Sequence, residues 1–159
     1  MTMYNKLIIL LVFFFSLALQ NAFSQTTEQK VLTLAEAQQI ADAAEKRANQ
    51  DKWNVVIAIV DAGGHLICLR RMDGTQIGSV EVANQKAKTS LYFKRPTKVF
   101  QDLVSDGNNA VLALPNVIAS EGGLPIFHEE KIIGAIGVSG VTSAQDGIIA
   151  QSALEALND

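Results

Sequence analysis

Trp53-Asn54-Val55-Val56-Ile57-Ala58-Ile59-Val60, then Asp61-Ala62-Gly63-Gly64, then His65-Leu66-Ile67-Cys68-Leu69-Arg70, is the stretch that decides the architecture. The first run has no polar alternation after Asn54, so it reads as a strand covered on both faces. Asp61 to Gly64 is turn chemistry, and His65 to Arg70 reads as the returning strand of a hairpin.

Further along, Glu121-Gly122-Gly123-Leu124-Pro125-Ile126-Phe127 leads into a turn at His128-Glu129-Glu130-Lys131, and Ile132 to Gly140 follows as a glycine-studded apolar strand. Glycines weaken a strand, so Gly134, Gly137 and Gly140 imply another element or a ligand close to the backbone. Helices surround the hairpins. Thr33-Leu34-Ala35-Glu36 is a capping box opening a helix over about 34–50, with Leu34, Ala37, Ile40, Ala41, Ala44 and Ala48 on one stripe. A second helix over 79–93 turns Val80, Ala83, Ala87 and Leu91 to one face, with Lys86 and Lys88 pointing elsewhere. Pro96 punctuates, Thr97 is placed to cap a short helix through Val104, and Asp146 to Leu157 closes the chain as a helix. Val111 to Ile118 is interrupted by Pro115 and reads as a loop or a short edge strand. Hairpins dominate over parallel crossovers, which predicts an antiparallel α+β sheet with helices packed on it.

At 159 residues and 48% hydrophobic, the chain suits one core and is short for two domains. A net charge of −3 and 6% aromatic content set aside nucleic acid as a partner. Lys6, the apolar run Leu7 to Leu19 and the small residues Ala22 and Ser24 predict a signal peptide over 1–24, with a polar leader over 25–31 and one domain over 32–159. The run is shorter than the roughly 20 residues of a membrane span, so the expectation is a periplasmic or secreted protein with no stable membrane anchor after cleavage. Cys68 is the lone cysteine, so no internal disulfide, no cysteine-based zinc or iron–sulfur centre and no covalently attached haem is expected. Between Ile67 and Leu69 it reads as a small packed hydrophobe. A phosphate-binding Walker loop and a Gly-x-Ser-x-Gly elbow are both missing.

Several motifs, in order, resemble the GlcG/HbpS family: Leu32-Thr33-Leu34, Val60-Asp61-Ala62-Gly63-Gly64-His65-Leu66, Arg71-Met72-Asp73-Gly74, Ala83-Asn84-Gln85-Lys86-Ala87, Glu121 to Ile126, Ile133 to Gly140 and Gln145-Asp146. The resemblance covers about 32–157. It implies a profilin-like fold, with a five-stranded antiparallel sheet flanked by helices, often assembled into homo-oligomers. It also implies haem as the candidate cofactor, since the family includes haem-binding proteins linked to redox sensing and a domain fused to corrinoid adenosyltransferases. The sensing branch implies an extracellular sensor partner. Other relatives are encoded beside glycolate-utilisation genes, so their shared activity is loosely defined.

The candidate site residues each carry two readings. Gly122 and Gly123 form either a backbone anion nest for a carboxylate or a plain turn requiring positive φ. Glu121 either orients a ligand or is solvated. Arg71 suits a propionate through its bidentate fork, or pairs with Asp73 to fix the loop. Lys86 is a weaker carboxylate candidate, against a solvated helix face. His65 and His128 are the two histidines; His128 reads as solvent-exposed in its turn, which leaves His65 as the candidate iron ligand. Met72 is a packed methionine before it is a thioether ligand. The leading expectation is a haem or tetrapyrrole binder with its site around Arg71 and Gly122-Gly123. The alternatives are an enzyme or accessory acting on a small carboxylate, with Asp73 or Asp146 moving a proton, and an oligomeric scaffold or sensor accessory.

Overall fold

A computed structural model describes residues 30–156 and the isolated Tyr4. Apart from Tyr4, the signal peptide expected over 1–24 lies outside the described residues, as do the leader before Lys30 and Leu157. The elements are α1 (Leu34–Gln50), β1 (Val56–Asp61), β2 (Leu66–Arg71), α2 (Ser79–Phe93), α3 (Lys98–Ser105), a 3-10 turn (Asn109–Ala113), β3 (Gly123–His128), β4 (Lys131–Ser139) and α4 (Ser143–Glu155).

Both hairpins form, and they join through β1 and β4 into a sheet of order β2-β1-β4-β3, antiparallel throughout. Among the described residues the sheet has four strands, so the five implied by the resemblance are corrected. The stretch left open as loop or edge strand explains the difference. After its 3-10 turn it runs along α2 instead of along the sheet: the Gln85 amide and the Thr89 hydroxyl donate to the Asn116 carbonyl at 2.9 and 2.8 Å, and the Ile118 N–H donates to Thr89 Oγ1 at 3.1 Å. Backbone groups satisfied by helix side chains, beside a proline with no N–H, have no need of a neighbouring strand.

The sheet separates two helical layers. Ile57, Ile59, Ile136 and Val138 point into the main core with the alanine stripe of α1 and with Ile149, Ala150 and Ala153 of α4. Val56, Ala58, Val60 and Ala135 point the other way, against Ala83, Ala87 and Leu91 of α2. Small residues bring α2 close to the sheet. A Cβ at Gly137 would stand 2.6 Å from the Ala87 nitrogen and inside the radius of the Ala83 carbonyl oxygen. The strand glycine thus serves a helix and not a ligand.

Two helices, α1 and α4, start at capping boxes. Thr33 accepts from the Glu36 N–H, and the Glu36 carboxylate accepts from the Thr33 N–H at 2.8 Å, which is the expected capping box. The Lys30 ammonium at 2.6 Å, then the Thr33 N–H, then its hydroxyl, draw the Glu36 carboxyl from its ordinary 4.5 down to about 2. A depressed carboxyl stabilises the fold above its unfolded pKa, and that contribution is lost as pH falls through the folded value. Glu36→Gln is therefore expected to melt earlier than the parent at pH 7 and together with it near pH 2. The gap at pH 7 should stay within about 1 kcal/mol, because the group is solvent-screened. Equal melting at pH 7 would remove the box from the account of α1. A second capping box, Thr142 with Gln145, starts α4 at Ser143, three residues before the predicted Asp146.

On the outer edge of β3, Val138 N–H donates to the Gly122 carbonyl at 2.9 Å, so Gly123 and Pro125 are residues whose backbone groups face away from β4. Thr97 takes both groups of Gly123: its hydroxyl accepts from the Gly123 N–H at 2.9 Å and its own N–H donates to the Gly123 carbonyl at 3.0 Å. Thr97 was expected to cap α3, but its side chain makes no capping bond there. It closes the sheet edge instead.

Among the described residues no helix is long and apolar enough to cross a membrane. Cys68 is half-buried and packs against the main core, as does Met72.

Candidate functional site

The largest departure from expectation is Lys86. It is 1% exposed, not solvated. The helix that carries it lies on one face of the sheet, and its side chain passes the end of β3 to the other face. There the ammonium donates to Asp146 Oδ2 at 2.8 Å and to the Val138 carbonyl at 3.1 Å. Asp146 is 2% exposed and also accepts from the Val141 N–H at 3.2 Å. Burial raises the Asp146 carboxyl above the ordinary range, and the Lys86 ammonium opposes that rise. The pair thus ties α2 to the start of α4 through the sheet.

Gly122 and Gly123 lie directly over this pair. Gly122 has φ +126°, which an L side chain rarely adopts, and a Cβ there would stand 2.9 Å from Asp146 Cβ and 3.0 Å from Lys86 Nζ. A Cβ on Gly123 would meet Thr97 Cγ2 at 2.6 Å and overlap the Lys86 carbonyl oxygen. The two glycines are required by what lies behind them. Their other side is the floor of a cleft of about 550 Å3 between the start of α3, the start of β3 and α4. Pro96, Leu124 and Ile148 give it apolar walls, and Arg47, Lys98, Glu121 and Glu155 stand around it. The Glu121 N–H donates to Gln101 Oε1 at 2.9 Å, which fixes the loop entering β3.

The structure therefore gathers Lys86, Glu121, Gly122 and Gly123 into one place and leaves three predicted residues outside it. Arg71 and Asp73 are exposed and do not pair with each other. Arg71 ends β2 opposite Val56, while Gly123 begins β3 at the far edge of the sheet. Three strand spacings separate them, roughly 14 Å before any offset along the strands. His65 lies in the β1–β2 turn with its side chain 84% exposed, and its Nδ1 is 3.4 Å from Asp61 Oδ1. It is six residues along β2 from Arg71, roughly 20 Å away, at the opposite end of the sheet from Gly122. A single ligand cannot be gripped at Gly122-Gly123 and ligated by His65. His128 is exposed at the hairpin end, as expected. No cluster of three or more metal-ligating side chains occurs among the described residues.

Arg47 was not foreseen as part of this site. It sits in the last turn of α1, its guanidinium lies 5.3 Å over the Trp53 ring, and it pairs with Asp51.

This arrangement matches known proteins along most of its length. The family model described as haem degrading protein HbpS-like matches residues 32–155. The chain belongs to the HbpS-like family. Protein GlcG of Escherichia coli is 37% identical over 109 residues, covering 69% of this chain and 81% of GlcG. Among solved structures, Klebsiella pneumoniae protein ORFY superposes with a TM-score of 0.77 at 34% identity, covering 86% of this chain and 98% of that one. The PduOC:haem complex superposes at 0.75 with 32% identity, covering 81% and 96%. The described chain thus spans these folds nearly end to end, and in this HbpS-like member the cleft lies at the β3 edge of the sheet.

Proposed function

We propose that this protein binds haem or a related tetrapyrrole in the cleft over Gly122 and Gly123. The observation that carries the reading is a cleft of about 550 Å3 with apolar walls, a glycine pair in its floor and two cations beside two acids, in a chain whose relative PduOC has been solved with haem. That volume lies within the range of small-molecule sites. The residues fit such a ligand: Pro96, Leu124 and Ile148 can cover a flat apolar face, the side-chain-free floor allows close approach, and Arg47 or Lys98 can meet a carboxylate. Neither histidine lines the cleft, and its side-chain oxygen donors are Glu121, Gln151, Ser152 and Glu155. Export belongs to the same proposal and rests on the Lys6 and Leu7–Leu19 pattern, as does a haem- or redox-handling role outside the cytoplasm. Assembly into a homo-oligomer and service to an extracellular sensor are further expectations of the family resemblance.

The test is a haemin titration of the purified protein followed by Soret absorbance, beside an unrelated protein. Saturable binding is expected. Ile148→Glu places a charge on an exposed cleft wall and should weaken binding by about tenfold or more. His65→Ala should leave binding and spectrum unchanged. If His65→Ala abolishes the spectrum and Ile148→Glu does nothing, haem sits instead at the hairpin end. No binding beyond the unrelated protein sinks the haem reading and brings forward a small carboxylate as ligand.

A further inference from the structure

We infer that Arg47 is the specificity-determining residue of the cleft, and that it selects ligands bearing a carboxylate. The inference rests on the cleft being the ligand site, and it names the chemistry that the site demands. Two cations stand at the cleft, and their surroundings differ. Each is paired with a carboxylate four residues on, Lys98 with Asp102 at 2.7 and 2.9 Å and Arg47 with Asp51, but the Lys98 side chain is 51% exposed and that of Arg47 23%. Arg47 gives Nη1 to Asp51 and has further N–H donors on Nε and Nη2.

Its position is also held. Trp53 packs against the main core and presents its ring beneath the guanidinium at 5.3 Å, while Asp51 holds one end of the fork. A guanidinium held over a ring face and tied at one end to a carboxylate keeps its remaining N–H groups available to a second carboxylate, with less side-chain freedom to lose on binding. The acids Glu121 and Glu155, on the same cleft, would repel a carboxylate placed anywhere but beside a cation. The cleft thus favours a flat apolar ligand whose acid group projects toward the end of α1, and it disfavours the same ligand with that acid masked.

Haemin and haemin dimethyl ester differ only in this respect, and Trp53, the sole tryptophan, reports occupancy by fluorescence quenching. The native protein should bind haemin about tenfold or more tightly than the diester, the size expected for a charge-assisted hydrogen bond. Arg47→Gln should lose that preference while keeping its affinity for the diester, and Arg47→Lys should recover part of it. Equal loss of both ligands in Arg47→Gln would mean that Arg47 only supports the wall, which overturns the inference. Unchanged haemin affinity in Arg47→Gln overturns it as well and leaves the haem reading standing. Failure of haemin to bind the native protein overturns both.

Discussion

Lys86→Met is expected to cost about 3–5 kcal/mol at neutral pH, a large share of a small domain's stability. The lysine stem is replaced by an apolar one of similar length, so packing is largely kept. What is lost is the countercharge to Asp146, a carboxylate 2% exposed whose pKa burial already raises. The sign of the pH effect follows. In the variant the folded-state carboxyl lies well above its unfolded value, so the folded state binds the extra proton. Stability therefore falls as pH rises through that window and returns as pH drops below it. Urea melts of parent and variant at pH 7 and pH 4.5 should show a large gap at the first and a smaller one at the second. Adding Asp146→Asn to Lys86→Met should recover about half of the loss or more, since the amide oxygen can still accept from Val141 and no charge remains buried. A Lys86→Met protein as stable as its parent would mean that the pair contributes nothing.

The second large effect is expected at Gly137. An alanine there would press its Cβ onto the Ala83 carbonyl and to within 2.6 Å of the Ala87 nitrogen. Both are backbone atoms of α2, so no side chain can turn aside and the whole helix must lift. Overpacking of this kind costs roughly 1–3 kcal/mol where side chains can adjust, and about 3 kcal/mol or more is expected here. Gly78→Ala is the comparison: nothing lies within 4 Å of that Cβ and its φ is −60°. Its stability should change by less than about 1 kcal/mol. If the two variants melt alike, the close approach of α2 to β4 is not what positions the helix.

The scaffold was legible because its signals are local. Thr33 and Glu36 mark the start of α1, the unbroken run to Val60 marks a covered strand, and the residues of both hairpins predict the four strands observed. A fifth strand came from the family resemblance and not from these residues. The site was harder to read. Lys86 lies three residues after Ala83 and four before Ser90, on the inward face of α2, and a charge on that face demands a partner. Its partner is sixty residues away, a separation that periodicity cannot bridge. Arg47 escaped because its place over Trp53 depends on how the chain leaves α1. His65, in contrast, could have been separated from Arg71 on paper, since a hairpin reading already places them at opposite ends of one strand.

The sealed outer edge of β3 has a consequence for crowded conditions. Open-ended strand-to-strand polymerisation needs two receptive edges on every copy, one to give and one to accept. Thr97 occupies the Gly123 backbone, and Pro125 offers no N–H on the same side, so β3 cannot serve as the second. Among the described strands that leaves β2 as the other outer edge, and growth through one edge alone ends when two molecules have met. At high concentration a buried threonine and a buried proline thus guard this edge against ribbon-like aggregation.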